Sequence, residues 1–340
     1  MKVKIMLCGI LLLGLSGCRS GESRHFPIET PYVSIDADTL GVDIEGDLGG
    51  FVFHRDRYYA FFHQWYEQDG GLHMDSHLYV LTKEGQILHE IPLPDNMELP
   101  MSYWMYLKAD SLCVVPDREP FDPLYLNEER GQWEVLPDLR VPLYEDEDYV
   151  VTSSSSGEWG GTVYFADKKT GDTYEGKSRN TFLVQKIDSA YYVTSYLAHA
   201  VGFSEVIKIR NPQEMLPFDT TRDLTGEIEE QSTSLQGMEV LVDTVFIDIV
   251  SSFAHKGRLL HIYQDPEGKM QIGEIKEGRL ASVLSLQDLV GYCMLQNIPS
   301  DTVQYLSFST RDYGDPDFPK DNRYGFMMVT PHTIQLHYLR

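Results

Sequence analysis

Cysteine is scarce in this chain, with four in 340 residues, and two of them, Cys8 and Cys18, fall within the first eighteen positions. That excludes a disulfide framework and leaves Cys113 and Cys293 as the one pair that an oxidising compartment would permit to bridge. Their apolar, strand-like surroundings, Leu112 to Val115 and Tyr292 to Leu295, point instead to two separately buried thiols. Basic residues are few as well, 28 Lys and Arg against 52 Asp and Glu, for a formal net charge of −24. Such a field repels phosphate backbones and anionic lipid head groups, which argues against nucleic acid and against direct electrostatic attachment to a membrane. No apolar run approaches the roughly 20 residues of a spanning helix. The usual catalytic signatures are missing too: there is no G-x-S-x-G elbow, no H-E-x-x-H and no P-loop.

What the N-terminus does hold is an export signal. Lys2 and Lys4 form its positive start, Ile5 to Leu15 a short apolar core, and Leu15-Ser16-Gly17-Cys18 a tetrapeptide that resembles the lipobox of bacterial lipoproteins. The resemblance implies cleavage after Gly17, where small residues admit the peptidase, and acylation of the Cys18 thiol with diacylglycerol, with a palmitate-type chain on the freed amine in bacteria that add one. Two or three chains anchor stably where one binds marginally, at about 0.8 kcal/mol per buried CH₂. Arg19 stands where enteric lipoproteins retained in the inner membrane carry Asp, which directs the expectation to the outer membrane, on its periplasmic face or at the cell surface. Losing Lys2 and Lys4 with the leader leaves 26 bases against 52 acids, a net −26. The expected organisation is a signal peptide over 1–17, a lipidated polar tether over 18–30 and a single domain over 31–340.

Within that domain strand patterning recurs almost everywhere and helical periodicity almost nowhere, so the fold class is all-β. A four-stranded unit repeats about six times. The clearest copy runs from Gly50 to Pro92, with Phe51 to His54 and Tyr58 to Gln64 around Arg55-Asp56-Arg57, then Leu78 to Leu81 and Ile87 to Ile91 around Lys83-Glu84-Gly85. A second uses Tyr103 to Leu107, Leu112 to Val115, Leu124 to Leu126 and Trp133 to Leu136. A less regular third includes Tyr149 to Ser153 and Thr162 to Ala166, and a fourth begins with Thr181 to Ile187 and Tyr191 to Tyr196 without a clear last strand. The fifth opens with Val245 to Ser251, and the sixth supplies about three strands, Val303 to Ser309, Tyr324 to Val329 and Ile334 to Tyr338, so that Tyr32 to Asp36 is expected to complete it. A repeat of roughly 40–50 residues belongs to β-propellers, whose radial closure protects sheet edges. The expected architecture is a propeller of six four-stranded antiparallel blades, with a β-sandwich pair as the alternative. Lipobox, tether and six degenerate repeats together resemble the six-bladed propeller lipoproteins of Bacteroidales-type bacteria, which implies fold and extracytoplasmic setting but no activity.

Several clusters carry candidate chemistry. His73, Asp75 and His77 form an H-x-D-x-H spacing that, on a strand, turns three metal-ligand types to one face, as zinc would require. Asp312, Asp315, Asp317 and Asp321 offer oxygens to calcium but lack a D-x-D-x-D-G register. Glu145-Asp146-Glu147-Asp148 reads as a solvated acidic loop. Trp65, Tyr66, Trp104 and Trp159, the last beside Glu158 in a Gly/Ser stretch, form a candidate glycan-stacking surface, although packed blades consume most of the 40 aromatic residues. The expected function is non-catalytic binding of a glycan, peptide or envelope partner. A glycan-active hydrolase or lyase is the alternative, because paired carboxylates are set by spatial separation and not by sequence spacing. For the anchor, metabolic labelling with palmitate should tag the wild-type chain in the membrane fraction, while Cys18→Ala should be unlabelled and released; a labelled, membrane-bound C18A would contradict it.

Overall fold

The computed structural model describes residues 26–29 and 33–339, apart from 94–102, 109, 117–121, 137–141, 156–158, 198–201, 220–230, 287–288, 296–302 and 310–323. Cys18 and the expected leader, together with Glu158 and the aspartates at 312, 315, 317 and 321, lie outside the described residues. Two N-terminal strands, β1 (Phe26–Glu29) and β2 (Ser34–Leu40), precede six sheets; β1 falls in the stretch read as tether and pairs with β2. The first sheet holds β3 (Asp47–His54), β4 (Arg57–Gln68), β5 (Gly71–Thr82) and β6 (Ile87–Ile91). The second holds β7 (Tyr103–Lys108), β8 (Ser111–Pro116), β9 (Leu124–Asn127) and β10 (Gln132–Val135). In the third are β11 (Tyr144–Glu145), β12 (Tyr149–Ser155), β13 (Gly161–Asp167) and β14 (Thr173–Ser178). The fourth comprises β15 (Thr181–Ile187), β16 (Ala190–Leu197), β17 (Phe203–Ile209) and, after an excursion containing β18 (Leu216–Pro217), β19 (Met238–Val245). The fifth is β20 (Asp248–His255), β21 (Arg258–Gln264), β22 (Met270–Lys276) and β23 (Arg279–Ser285); the sixth is β24 (Tyr292–Leu295), β25 (Gln304–Ser309), β26 (Tyr324–Val329) and β27 (Thr333–Leu339).

Each sheet is antiparallel through its four strands in sequence order, and the six stand in a ring as propeller blades. First strands of successive sheets meet, β3 against β7 and β20 against β24, which places them at the inner edge. The cores lie between blades. Phe51, Phe61, Phe62, Leu78, Met105 and Leu112, all within 1% of full burial, belong to the core that joins the first two blades, at about 1.5–3 kcal/mol per large side chain. Cys113 and Cys293 are buried, free thiols in different blades, and burial pushes both thiols up.

Ring closure departs from the sequence expectation. The sixth blade supplies all four of its own strands, the first being β24, and β2 joins as a fifth, parallel to β27 from Ser34↔Thr333 to Leu40↔Leu339. Direction explains this. Outer strand β27 runs towards the end of the ring where β3 begins, so only a parallel β2 delivers the chain to β3 over the short stretch 41–46. Val33, Ile35, Ala37 and Leu40 are buried there, and Asp38 Oδ1 meets His337 Nδ1 at 2.5 Å. Between the last and first blades the Tyr305 hydroxyl donates to the Phe53 carbonyl at 3.0 Å, and the Phe51 ring lies 4.2 Å from Phe326 and 5.2 Å from Tyr305.

The missing last strand of the fourth blade is β19, held far along the chain by residues 210–237. That excursion lays β18 on the outer edge of β14, Ser234 accepts from the Lys177 amide at 2.7 Å, and the Ser232 amide donates to Thr162 at 2.8 Å. The third blade's edge is thereby covered by its neighbour's connection, as an exposed edge requires.

Short turns gather at one end of the ring, here the turn end: those joining first to second and third to fourth strands, apart from the β17–β19 excursion and the β24–β25 link. Lys256-Gly257 and Glu277-Gly278 both take positive φ at both positions, the signature of a type I′ hairpin. Polar ties between blades concentrate here. Arg55 pairs with Asp110 at 2.5 Å and Glu128 at 2.9 Å, and Glu128 also accepts from the Tyr59 hydroxyl. Asp146 is the densest tie and corrects the reading of its acidic run as a solvated loop. Its carboxylate accepts from the amides of Asp148 and Tyr149, both 2.8 Å, from Lys186 Nζ at 2.6 Å and from the Tyr191 hydroxyl at 2.8 Å. Burial opposes the charge, but the bonds from Lys186, the two amides and Tyr191 outweigh it and hold the carboxyl at about 2. A depressed carboxyl stabilises the fold above its unfolded value and ceases to as pH falls through the folded one. Asp146→Asn should therefore cost about 2 kcal/mol in urea unfolding at neutral pH, and the difference from wild type should shrink from about pH 4 towards pH 2; a pH-independent difference would contradict this linkage.

Candidate functional site

Connections between second and third strands, and from each sheet to the next, gather at the opposite end of the ring, the loop end. Three blades raise aromatic side chains there. On the first, β4 and β5 are paired without a break from Arg57↔Thr82 to Gln68↔Gly71 and turn at Asp69-Gly70, both at positive φ. Burial falls along β4: residues near the turn end are enclosed, while Trp65 and Tyr66 are exposed. The hairpin thus projects beyond the core as two-sided ribbon.

Alternation on this ribbon puts Gln64, Tyr66, His73, Asp75 and His77 on one face and Trp65 with Met74 on the other. The H-x-D-x-H spacing does share a face, yet each member has its own partner. His73 stacks on Tyr66 at 5.5 Å and 21° and shares a 3.2 Å hydrogen bond with the Gln68 carbonyl. Asp75 accepts from the Tyr66 hydroxyl at 3.3 Å, and His77 Nδ1 meets Glu90 at 2.7 Å. Among the described residues no group of three or more His, Cys, Asp or Glu is placed to hold a metal ion. What the face offers is a flat tyrosine–histidine stack flanked by carboxylates.

Among the described residues Trp159 is the most exposed of the large apolar side chains, at 79%. Gly160 takes φ +106, and Gly161 packs so closely on the Arg179 and Ser154 carbonyls that a side chain there would run into backbone; Trp159, at the start of this tight passage, is left outside. Trp104 behaves differently. It is half-buried on β7 and packs against the core of the fifth and sixth blades, so its ring is engaged in packing.

A second group lies at the loop end of the fourth blade. The Arg179 guanidinium sits 4.3 Å from the Phe203 ring centroid, donates to Asp243 at 3.1 Å and stands 4.0 Å from Glu205. Burial pushes the Glu205 carboxyl up against the pull of Arg179, and its Oε2 has no hydrogen-bond partner. Phe246, 57% exposed, stands at φ +64 between β19 and β20 and donates its amide to Gly202 at 3.1 Å. In the sequence Phe246 belongs to an alternating run, Val245 to Ser251, read as one strand; the break at positive φ turns it out of the core. No sequence signal marks Arg179 and Glu205, which are neighbours only through blade packing.

Asp248 is the other carboxyl that burial raises at this end. It does not pair with Glu205. On β17, Glu205 and Phe203 project to the Arg179 side, whereas Ser204 projects the other way, bonding to the Ile247 carbonyl and the Ile249 amide at 2.8 Å each. Asp248 belongs to that second side, tight against Gly202. The two acids are separated by the strand and do not flank a common space.

No family model matches the chain, and no curated protein does. Among solved structures it is similar to the Bombyx mori GH32 beta-fructofuranosidase BmSUC1, at 13% identity over 91% of this chain and 65% of that one, TM-score 0.30. This chain therefore spans just under two thirds of the Bombyx mori enzyme. It is also similar to a member of the duf4221 family from Bacteroides vulgatus, at 6% identity, 90% and 99% coverage and TM-score 0.23, and to Drosophila Plexin A in complex with Semaphorin 1b, at 10% identity, 84% and 69% coverage and TM-score 0.25. Likenesses this distant assign neither site nor activity.

Proposed function

We propose that the protein is a lipid-anchored, extracytoplasmic binding propeller that takes a neutral, extended glycan across the loop end without cleaving it. The observation that carries this reading is that four exposed aromatic side chains, Trp65, Tyr66, Trp159 and Phe246, all rise at that one end while the opposite end carries ion pairs. Exposing such rings forgoes burial worth about 1.5–3 kcal/mol each, a cost that sugar stacking offsets. Their distribution over three separate blades, between carboxylates, suits a polymer with repeated apolar faces better than a protein partner, which calls for one contiguous apolar patch. The acid excess of the chain disfavours anionic polymers. Asp248 lies across β17 from Glu205, and Asp243, which does stand beside Glu205, is tied with it to the one Arg179 guanidinium at 3.1 and 4.0 Å, an ion-pair arrangement and not the free acid and base that flank a bond in a glycosidase. The Cys18 lipid would hold the ring at the outer membrane, and residues up to the first strand would give it reach.

The test is a glycan array followed by tryptophan-fluorescence titration with the retained glycan. Trp159→Ala and the double change Trp65→Ala, Tyr66→Ala should each weaken binding roughly 5- to 30-fold, equivalent to about 1–2 kcal/mol, with urea unfolding unchanged because these side chains are exposed. Unaltered affinity in both variants would overturn the placement of the site. Release of shorter sugars from the bound glycan would overturn the non-catalytic reading.

A further inference from the structure

At the turn end, away from those aromatics, the fourth and fifth blades part around a cleft of about 540 Å³, within the range of small-molecule sites. Tyr192, Leu259 and Ile275 give it an apolar wall, and its charged lining is three carboxylates, Glu239, Glu274 and Glu277, against the single guanidinium of Arg258. Two of the acids are neutralised from within the protein: Glu239 by Arg210 at 3.2 Å, and Glu274 by Arg258 and by Lys276 at 2.5 Å. Glu277, on the exposed hairpin Glu277-Gly278, has no basic partner among the described residues.

His261 also lines the cleft and is fully buried. Its Nδ1 shares a 2.8 Å hydrogen bond with Ser252 Oγ, which is 3.0 Å from Thr194 Oγ1 of the fourth blade. Those bonds fix the ring and leave Nε2 as the nitrogen without a partner. Burial lowers the imidazole to about 3, so it stands there as a neutral ring with one unused hydrogen-bonding position. An unmade bond of this kind is a cost that a ligand with a matching group would recover.

We propose that this cleft binds a small hydroxylated amine of the amino-sugar class, its ring on the Tyr192, Leu259 and Ile275 wall, its ammonium at Glu277 and one hydroxyl at His261 Nε2. Arg210, Arg258 and Lys276 already hold Glu239 and Glu274, and Lys208 Nζ stands 5.4 Å from the Tyr192 ring centroid, so the preference for an amine rests on Glu277, the one cleft carboxylate without a base among the described residues, while a purely apolar ligand leaves the imidazole nitrogen unpaired. The site is separate from the loop end, and the two readings stand or fall independently.

Calorimetric titration of glucosamine into the full chain in detergent, at mildly acidic pH where the amine is charged, tests it. The expected dissociation constant is in the millimolar range, with glucose at least about tenfold weaker. Glu277→Gln, an exposed change, should weaken glucosamine about tenfold, and Val240→Trp, on the exposed strand at the cleft margin, should abolish binding while thermal unfolding stays within that of wild type. Absence of binding up to about 50 mM, equal affinity for glucose, or full affinity in the Glu277→Gln chain would each overturn the proposal.

Discussion

A four-stranded sheet bent into a wedge is unstable by itself, because both faces are apolar and its outer strand keeps unpaired amides and carbonyls. Everything else in this molecule follows from how those two deficits are removed. Faces are covered by neighbours around the ring, so that Val151, Val163, Phe165, Leu183, Val193 and Ile207 reach full burial in blades that could not bury them alone. Outer edges are covered where it matters for closure: β2 on β27, with β1 beyond it, and β18 on β14. The parallel β2–β27 pairing is the critical one, since it ties the first segment of the fold to the last and turns a row of sheets into a ring.

Closure also divides the two ends by task. Tight turns crowd the turn end, and there Arg55 on Asp110 and Glu128 and Lys186 on Asp146 tie neighbouring blades, while Lys168 on Glu145 and Lys169 on Asp148 tie turns within the third. Exposed pairs of this kind contribute little singly, about 0–1 kcal/mol, but the Asp146 hub is shielded and fourfold bonded. The loop end carries the links from blade to blade, the projecting β4–β5 hairpin and the outward aromatics. A rigid ring with variable loops at one end is the general arrangement by which scaffolds present recognition groups.

Fold class and blade number were legible because the period-2 alternation and the turn dipeptides repeat: the first and second sheets match their sequence copies, and the fifth does from its second strand on, its first strand being β20 and not the run Val245 to Ser251. Closure was misread. Tyr292 to Leu295 is strand-like in sequence but stands apart from the three runs counted in the sixth copy, and a count of three strands then draws β2 into the sheet as the fourth. β19 was hidden because Met238–Val245 lies beyond the long excursion from Ile209, where sequence adjacency no longer reports spatial adjacency. Of the candidate site, Trp65, Tyr66 and Trp159 were readable from aromatic residues beside Gly and polar runs. Trp104 looked equivalent in sequence and is packed, a difference set by which blade lies opposite. Phe246 and the Arg179–Glu205 contact were illegible, the first because a positive φ at Phe leaves no mark in an alternating pattern, the second because it spans two blades.

The account rests on β2 sealing the ring, and Ile35 is the side chain to test it with: it is fully buried and paired with Ile334. Hydrogen exchange of Ile35→Asp should show protection lost first in β27, β26 and β3, the strands on either side of the closing seam, with the fourth blade opening only at the global unfolding step. Unchanged protection in β27 and β3, with wild-type stability, would show that the six sheets hold together without the N-terminal strand and would contradict the closure described above.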